Sequence, residues 1–258
     1  MNNSEPKRLN SQPATYDEVL GLLPEDRATR ILDVGAGEGF FSRRLMDLGY
    51  RVEACDVSPD GFKCADVPFR QVDLNGPIPI ADNEYDCVVS IEVIEHVENH
   101  FQFVRELIRI TKPGGRIIVT TPNVLSFTAR WYQFLYGYSD CAPLPIDPAQ
   151  EEVFMEHINP ISLPQMLFLF ERYGAEMEVL ATNRFRKSSL LATLLLYPLL
   201  AVAIRLRLLR RKHKDVHALH RRHIRWMLRP ANLLGRITIV MAQKRQPTER
   251  AGQRPAAA

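Results

Sequence analysis

A short apolar strand that ends in an acid and runs into three alternate glycines constrains this chain more than any other feature. In "RILDVGAGEGFFSRRL" (30–45) the run 30–34 reads as a strand, Gly35, Gly37 and Gly39 as a tight turn, and Phe40 to Leu48 as a helix with apolar residues at 40, 41, 45 and 48. A G-x-G-x-G turn placed between strand and helix lets backbone N–H groups and the positive helix end approach a ligand closely. NAD and FAD enzymes use a similar turn, so the glycines alone do not name the ligand.

The pattern repeats along the chain. Strand candidates lie at 30–34, 51–55, 69–72, 85–91 and 115–121, with a helical pattern at Phe101, Val104, Leu107 and Ile108. "KPGG" (112–115) reads as a helix stop followed by a tight turn. A second helix is expected over 162–174, capped by Ser162, and two more strands over 175–182 and 236–243. These alternations predict an α/β fold: a doubly wound, mostly parallel seven-stranded sheet of Rossmann-like type. The domain is expected to span 15–243 within a chain of 258 residues, with disordered ends at 1–14 and 244–258. The N-terminus has no apolar run of the signal-peptide kind. Four scattered cysteines (Cys55, Cys64, Cys87, Cys141) lack metal-like spacing and read as reduced cytosolic thiols.

Three acids at strand ends narrow the ligand. Asp33 precedes the glycines, where a carboxylate repels a pyrophosphate but suits a cationic or amino-bearing group. Asp56 ends the second strand, where it can accept both hydroxyls of a ribose, and Asp73 follows the third, within reach of an adenine amino group. With these residues, "ILDVGAGEGFFSRRL", "EACDVS", "RQVDLNGPIPIADNEYDCVVSIEVIEHV" and "ITKPGGRIIVTTPN" resemble the class I S-adenosylmethionine-dependent methyltransferases. Among these the likeness is to the branch holding ubiquinone-biosynthesis O-methyltransferases. The resemblance implies that Asp33, Gly35, Ala36 and Gly37 hold the methionine part of S-adenosyl-L-methionine. It places Asp56 and Val57 at the ribose, and Asp73, Leu74 and Ile91 around the adenosyl group.

Methyl transfer to a hydroxyl needs in-line positioning and removal of a proton. "SIEVIEHVENH" (90–100) leaves the fourth strand at the carboxyl end of the sheet, where doubly wound folds bind ligands. Glu92, Glu95 and His96 are spaced so that one helical turn would put all three on one face. They could hold a divalent cation such as Mg2+, with His157 as a fourth ligand. The pattern is similar to the metal site of small-RNA 3′-terminal 2′-O-methyltransferases. A metal-free base role for His96, assisted by Glu92, and a purely structural role remain alternatives. His100 is expected to be a solvated helix residue. The aromatics Trp131, Tyr132, Phe134, Tyr136 and Tyr138 fall in a segment, 123–160, that could line an acceptor pocket, form a lid, or simply pack.

The insertion at 185–235 is the unexpected part. Its apolar run from Leu190 is about fifteen residues long and contains Pro198, short of the roughly twenty that span a bilayer. Between Arg205 and Arg229 lie ten Lys or Arg and one acid; this +9 leaves −6 for the rest of a chain whose net charge is +3. If 236–243 returns to the sheet, both ends of the insertion lie on one side, which argues against a single span. The choice is then between a shallow membrane element and a helix packed on the domain or at a dimer interface. The expected partner of 188–229 is an anionic membrane surface, met from the cytoplasmic side by a peripheral enzyme. Nucleic acid is the less favoured anionic partner, with Trp226 and its neighbouring arginines stacking on bases. The sequence leads to an O-methyltransferase acting on a small-molecule or lipid-linked acceptor, a quinone precursor or lipid-linked sugar. The alternatives are a metal-dependent RNA 2′-O-methyltransferase and a non-catalytic S-adenosylmethionine-binding partner protein.

Overall fold

A computed structural model describes residues 12–139, 141, 157–209 and 216–247. Seven strands form one sheet: β1 (Arg30–Val34), β2 (Arg51–Asp56), β3 (Phe69–Gln71), β4 (Tyr85–Ile91), β5 (Thr111–Pro122), β6 (Ala175–Ala181) and β7 (Ile237–Lys244). Their order is β3-β2-β1-β4-β5-β7-β6, with β7 antiparallel to both neighbours and the other pairs parallel. The sheet is thus seven-stranded, mostly parallel and doubly wound, as the alternation implied.

Helices cover both faces. On one, α3 (His100–Ile110) and α5 (Leu163–Tyr173) bury Phe103, Leu107, Met166 and Phe170 against Val88, Ile117 and Val240. On the other, α2 (Phe40–Asp47) and α1 (Gln12–Leu20) bring Phe41, Leu45 and Val19 against Ile31, Val89 and Ile118. Because both faces are covered, the central strands read as near-continuous apolar runs rather than alternating ones.

Several expectations change. "KPGG" is not a turn between elements: β5 already begins at Thr111, which pairs with Tyr85, while Cys87 pairs with Arg116. Residues 112–115 therefore bulge out opposite Asp86 within the strand. Gln12–Ala14 belong to α1 and Lys244 to β7, so neither disordered end extends that far inward; 1–11 and 248–258 lie outside the described residues. The aromatic segment after β5 contains a helix, α4 (Phe127–Tyr136). Ser126 caps it by accepting from the Ala129 N–H at 3.1 Å, and Gly137 ends it in the left-handed conformation with φ 79°. Residues 140 and 142–156 of the expected lid lie outside the described residues.

The insertion is helical: α6 (Ser188–Leu209), α7 (Val216–Met227) and α8 (Pro230–Leu234). Among the described residues no helix is long and apolar enough to cross a membrane. The insertion closes onto the carboxyl end of β5. Pro122 pairs with Ile237, and the buried Asn123 amide donates to the carbonyls of Asn232 (2.8 Å) and Gly235 (2.9 Å). All four cysteines are buried.

Candidate active site

The parallel strands present their carboxyl ends on one edge, and the expected donor-binding residues line it in order. Asp33, the fourth residue of β1, is only 2% exposed and accepts from the Ser42 hydroxyl at 2.6 Å. Burial pushes its carboxyl up to about 6, against the pull of the Ser42 bond and with a smaller push from Asp56. Gly35 and Ala36 donate to the Cys55 carbonyl at 2.8 and 3.1 Å, which pins the turn to β2. Gly37 donates to Asp56 Oδ2 at 2.8 Å, and the Ser58 N–H to Oδ1 at 3.2 Å. Asp56 is thereby held with its remaining lone pairs available to two hydroxyls. Val57 is exposed beside it. Asp73 is exposed and turned by an Asn75 N–H at 2.9 Å, while Leu74 is buried and Ile91 half-buried at the end of β4.

The glycines divide by role. A Cβ on Gly35 would lie 2.3 Å from Val93 Cγ2, and one on Gly39 2.7 Å from the Phe62 ring, so both serve packing. Gly37, with φ 54°, has nothing within 4 Å of that position. It is exposed beside Asp56, to which its N–H donates, and leaves room for a ligand to approach the turn. The residues present fit S-adenosylmethionine.

Tyr16 on α1 is a neighbour of these acids that sequence reasoning missed. Burial and the carboxylates of Asp33, Glu92 and Glu38 all push its phenol upward. Its ring packs on Phe41 at 5.0 Å. No motif announces a lone tyrosine in a short polar helix.

The second half of the site departs from the expected helical turn. Only Ile94–His96 form a single 3₁₀ turn, and Glu92 precedes it in a left-handed conformation, φ 55°. Its N–H is shared between the Thr120 carbonyl (3.2 Å) and hydroxyl (3.0 Å). Such a conformation costs a non-glycine residue about 1–3 kcal/mol and gathers at functional positions. Glu92 therefore does not share a face with Glu95 and His96. The group brought together is Glu95, His96 and His157, whose ligand atoms lie within 4.8 Å of one another.

That group is built by two connections. Asn159 donates its N–H to the Glu95 carbonyl at 3.0 Å and its amide to the Val97 and Glu98 carbonyls at 3.2 and 3.1 Å, docking 157–159 on the 3₁₀ turn. His157 Nδ1 lies against the Cys141 carbonyl and donates to it. The His96 and His157 rings meet edge to face at 4.9 Å. Glu95 is 1% exposed and neither of its oxygens makes a hydrogen bond. Burial, with repulsion from Glu92, pushes it up to about 8, offset in part by the neighbouring Thr121 hydroxyl. Glu92 is also raised by burial, opposed by His157 and Arg236, and its Oε1 is buried without a partner. Buried oxygens of Glu92 and Glu95 thus lack hydrogen-bond partners, and Glu95 lies beside the two imidazoles. His100 is not the solvated residue expected: it is half-buried at the start of α3, and burial lowers its pKa.

The fold is a seven-stranded, mostly parallel α/β sheet with Asp33, Asp56 and Asp73 at or just past the ends of three of its strands. Residues 32–119 match the family model described as a methyltransferase domain. The matched stretch runs from β1 into β5 and holds the glycine turn with Asp33, Asp56 and Asp73. It is 37% identical over 101 residues to a ubiquinone biosynthesis O-methyltransferase of Rickettsia typhi, covering 36% of this chain and 41% of that one. It is 32% identical over 123 residues to the protein of the same description from Caulobacter vibrioides (42% and 49% covered). A demethylmenaquinone methyltransferase of Tropheryma whipplei is 27% identical over 166 residues (59% and 69%). In the matched regions the chain spans about half the length of the first two relatives. Among solved structures, an S-adenosylmethionine dependent methyltransferase from Mesorhizobium loti superposes with a TM-score of 0.55 at 14% identity, covering 90% of this chain and 98% of that one. The [4+2]-cyclase SpnF superposes at 0.52 with 19% identity (90% and 80%). Folds alike to this degree do not by themselves name a reaction.

Proposed function

We propose that this chain methylates a hydroxyl of a lipid-borne or lipid-linked acceptor, such as a quinone precursor or lipid-linked sugar, at an anionic membrane surface. The observation that carries the reading is one of placement. Asp33, Asp56 and the Glu95–His96–His157 group lie toward the carboxyl edge of one sheet, and Glu92 is within electrostatic reach of His157. S-adenosylmethionine, when bound, supplies an electrophilic methyl group. Asp33 anchors its cationic amino-acid end, Asp56 its ribose hydroxyls, and Gly37 leaves the room. Glu92, raised by burial, is the base to receive the acceptor's proton. Glu95, His96 and His157 would hold a divalent cation, which would lower the pKa of a bound hydroxyl. A set with two imidazoles suits a transition metal better than the Mg2+ expected from the sequence.

The relatives described as a ubiquinone biosynthesis O-methyltransferase and a demethylmenaquinone methyltransferase favour a lipid-borne acceptor. The membrane reading draws on α6, whose Leu194, Leu195, Leu199, Val202 and Leu206 are exposed. The RNA reading is weakened because Trp226 is buried, with the Arg229 guanidinium 4.2 Å over its ring, and Arg222 is paired with Glu171 and Glu176. Neither can meet a base without unpacking.

The test is methyl transfer from labelled S-adenosylmethionine to quinol and lipid-linked sugar acceptors, presented in phosphatidylglycerol-containing vesicles and as soluble short-chain analogues. A Leu195→Glu, Leu199→Glu variant should lose turnover on vesicles and keep it on the soluble analogue. Equal turnover of both forms by the variant would sink the membrane reading. Transfer to RNA in place of either would sink the acceptor class.

A further inference from the structure

The outer face of α4 takes no part in the donor site or in the Glu95–His96–His157 group. Trp131, Phe134, Leu135 and Tyr136 are 59%, 78%, 51% and 58% exposed. A ten-residue helix carrying so many large uncovered side chains is unusual on a soluble surface, where such patches mark interaction sites. Its neighbour is α6, against which it packs. Leu194, Leu195 and Leu199 of that helix are 69%, 70% and 67% exposed. Two helices distant in sequence therefore lie side by side with uncovered apolar surfaces.

Charge and residue type select the occupant. The chain from Arg205 to Lys214 carries Arg205, Arg207, Arg210, Arg211, Lys212 and Lys214 and no acid. An apolar surface continuing into a basic stretch matches a bilayer with anionic headgroups. The aromatics of α4 and the half-exposed Tyr197 of α6 are types that settle at the boundary between acyl chains and water. Position supplies the link to chemistry. α4 leaves the carboxyl end of β5, whose Thr120 holds Glu92 and whose Thr121 neighbours Glu95.

We propose that α4 is a second membrane-embedded element, which enters the headgroup boundary beside α6 through Trp131, Phe134, Leu135 and Tyr136, so that the acceptor half of the site opens onto an anionic lipid surface. This rests on the membrane-surface reading above and extends it from the insertion to the segment bordering the acids. It also changes the role of these aromatics, from lid or pocket lining to anchor.

The chain's two tryptophans make the test direct, because Trp226 is buried in the core and Trp131 is exposed. The full chain is mixed with phosphatidylcholine–phosphatidylglycerol vesicles, with and without lipids brominated near the headgroup. Emission should shift blue and be quenched by the brominated lipid, and Trp131→Phe should remove both changes. Trp131→Ser with Phe134→Ser should weaken vesicle partitioning about tenfold or more, with thermal melting unchanged. Vesicle binding through α6 while Trp131 emission stays unshifted and unquenched overturns the α4 proposal and leaves the membrane reading standing. Absence of vesicle binding by the unmodified chain overturns both. A dimer in solution whose Trp131 is already blue-shifted without lipid overturns the proposal in favour of a second copy of the chain.

Discussion

Asp33 offers the sharpest separation between what the fold needs and what the ligand needs. Its carboxyl is buried, has Ser42 as its hydrogen-bond donor, and is moved from 3.8 to about 6. That displacement corresponds to about 3 kcal/mol of destabilisation of the ionised form in the ligand-free fold. Because the folded value lies above the unfolded one, this group's stabilising contribution is complete below about pH 4. It is lost as pH rises through about 6, and stays lost above. Asp33→Asn removes the penalised charge and keeps an oxygen for Ser42. The ligand-free variant should therefore be more stable than the parent at pH 7, by about 1–2 kcal/mol once a weaker hydrogen bond is allowed for. It should also lack the decline in stability between about pH 4 and 6. Binding should move the other way. The parent's affinity for S-adenosylmethionine should rise as Asp33 ionises and level off above about pH 7, whereas the variant should bind weakly and with a flat profile. Thermal melts of the ligand-free proteins and calorimetric titrations across pH read both halves. A variant less stable than its parent at pH 7, or one whose affinity profile runs parallel to the parent's, would refute the assignment of Asp33 to a cationic group.

The two glycines of the turn should part company. Gly35→Ala puts a Cβ 2.3 Å from Val93 and should cost several kcal/mol of stability, whereas Gly37→Ala meets nothing and should cost about 1–2 kcal/mol from its positive φ, yet lose donor affinity; melting and titration of both check this. Chelation should abolish methyl transfer, with restoration by a transition metal, and His157→Ala should lower metal affinity by at least the roughly tenfold typical of altered ligand shells, read by metal titration of the purified protein. Asn123→Ala leaves the carbonyls of Asn232 and Gly235 without their donor and should cost about 2–3 kcal/mol. Hydrogen exchange of that variant should show loosening of α8 and the start of β7, and protected α8 amides would contradict the assigned anchor.

The glycine turn and the strand-end acids were legible because their pattern is local. Strand, glycine turn and helix lie within sixteen consecutive residues, and each acid sits at a strand end that apolar runs reveal. The acceptor half was not, because its geometry depends on contacts across the chain. Helical spacing grouped Glu92 with Glu95 and His96, but parallel pairing of β4 with β5 holds Glu92 extended at its N–H through Thr120 and throws it into a positive φ. His157 was named from the sequence, whereas the reason it arrives beside His96 is Asn159, whose bonds to Glu95, Val97 and Glu98 no periodicity could show. The helix α4 escaped notice for a related reason. A surface helix is recognised by an apolar stripe facing the core, and here aromatics occupy the outward face as well. Tyr16 had no pattern at all; only the fold of α1 onto Phe41 brings it to the acids.

The sheet order explains why donor and acceptor functions can vary independently in such a molecule. Strands β1 to β3 carry Asp33, Asp56 and the approach to Asp73, and nothing inserted after β5 disturbs their register. The acceptor side is built where β5 ends and antiparallel β7 begins, at the pairing of Pro122 with Ile237. Both α4 and the α6–α8 insertion attach at that seam, one leaving β5 and the other returning into β7. Because β7 runs against β5, a long insertion ahead of it is delivered to the carboxyl edge rather than to the far end of the sheet. An exposed apolar helix there can change what surface the enzyme meets while the donor pocket stays as it is. The same seam places Arg236, just ahead of β7, within electrostatic reach of Glu92, so the insertion's return to the sheet bears directly on that carboxyl.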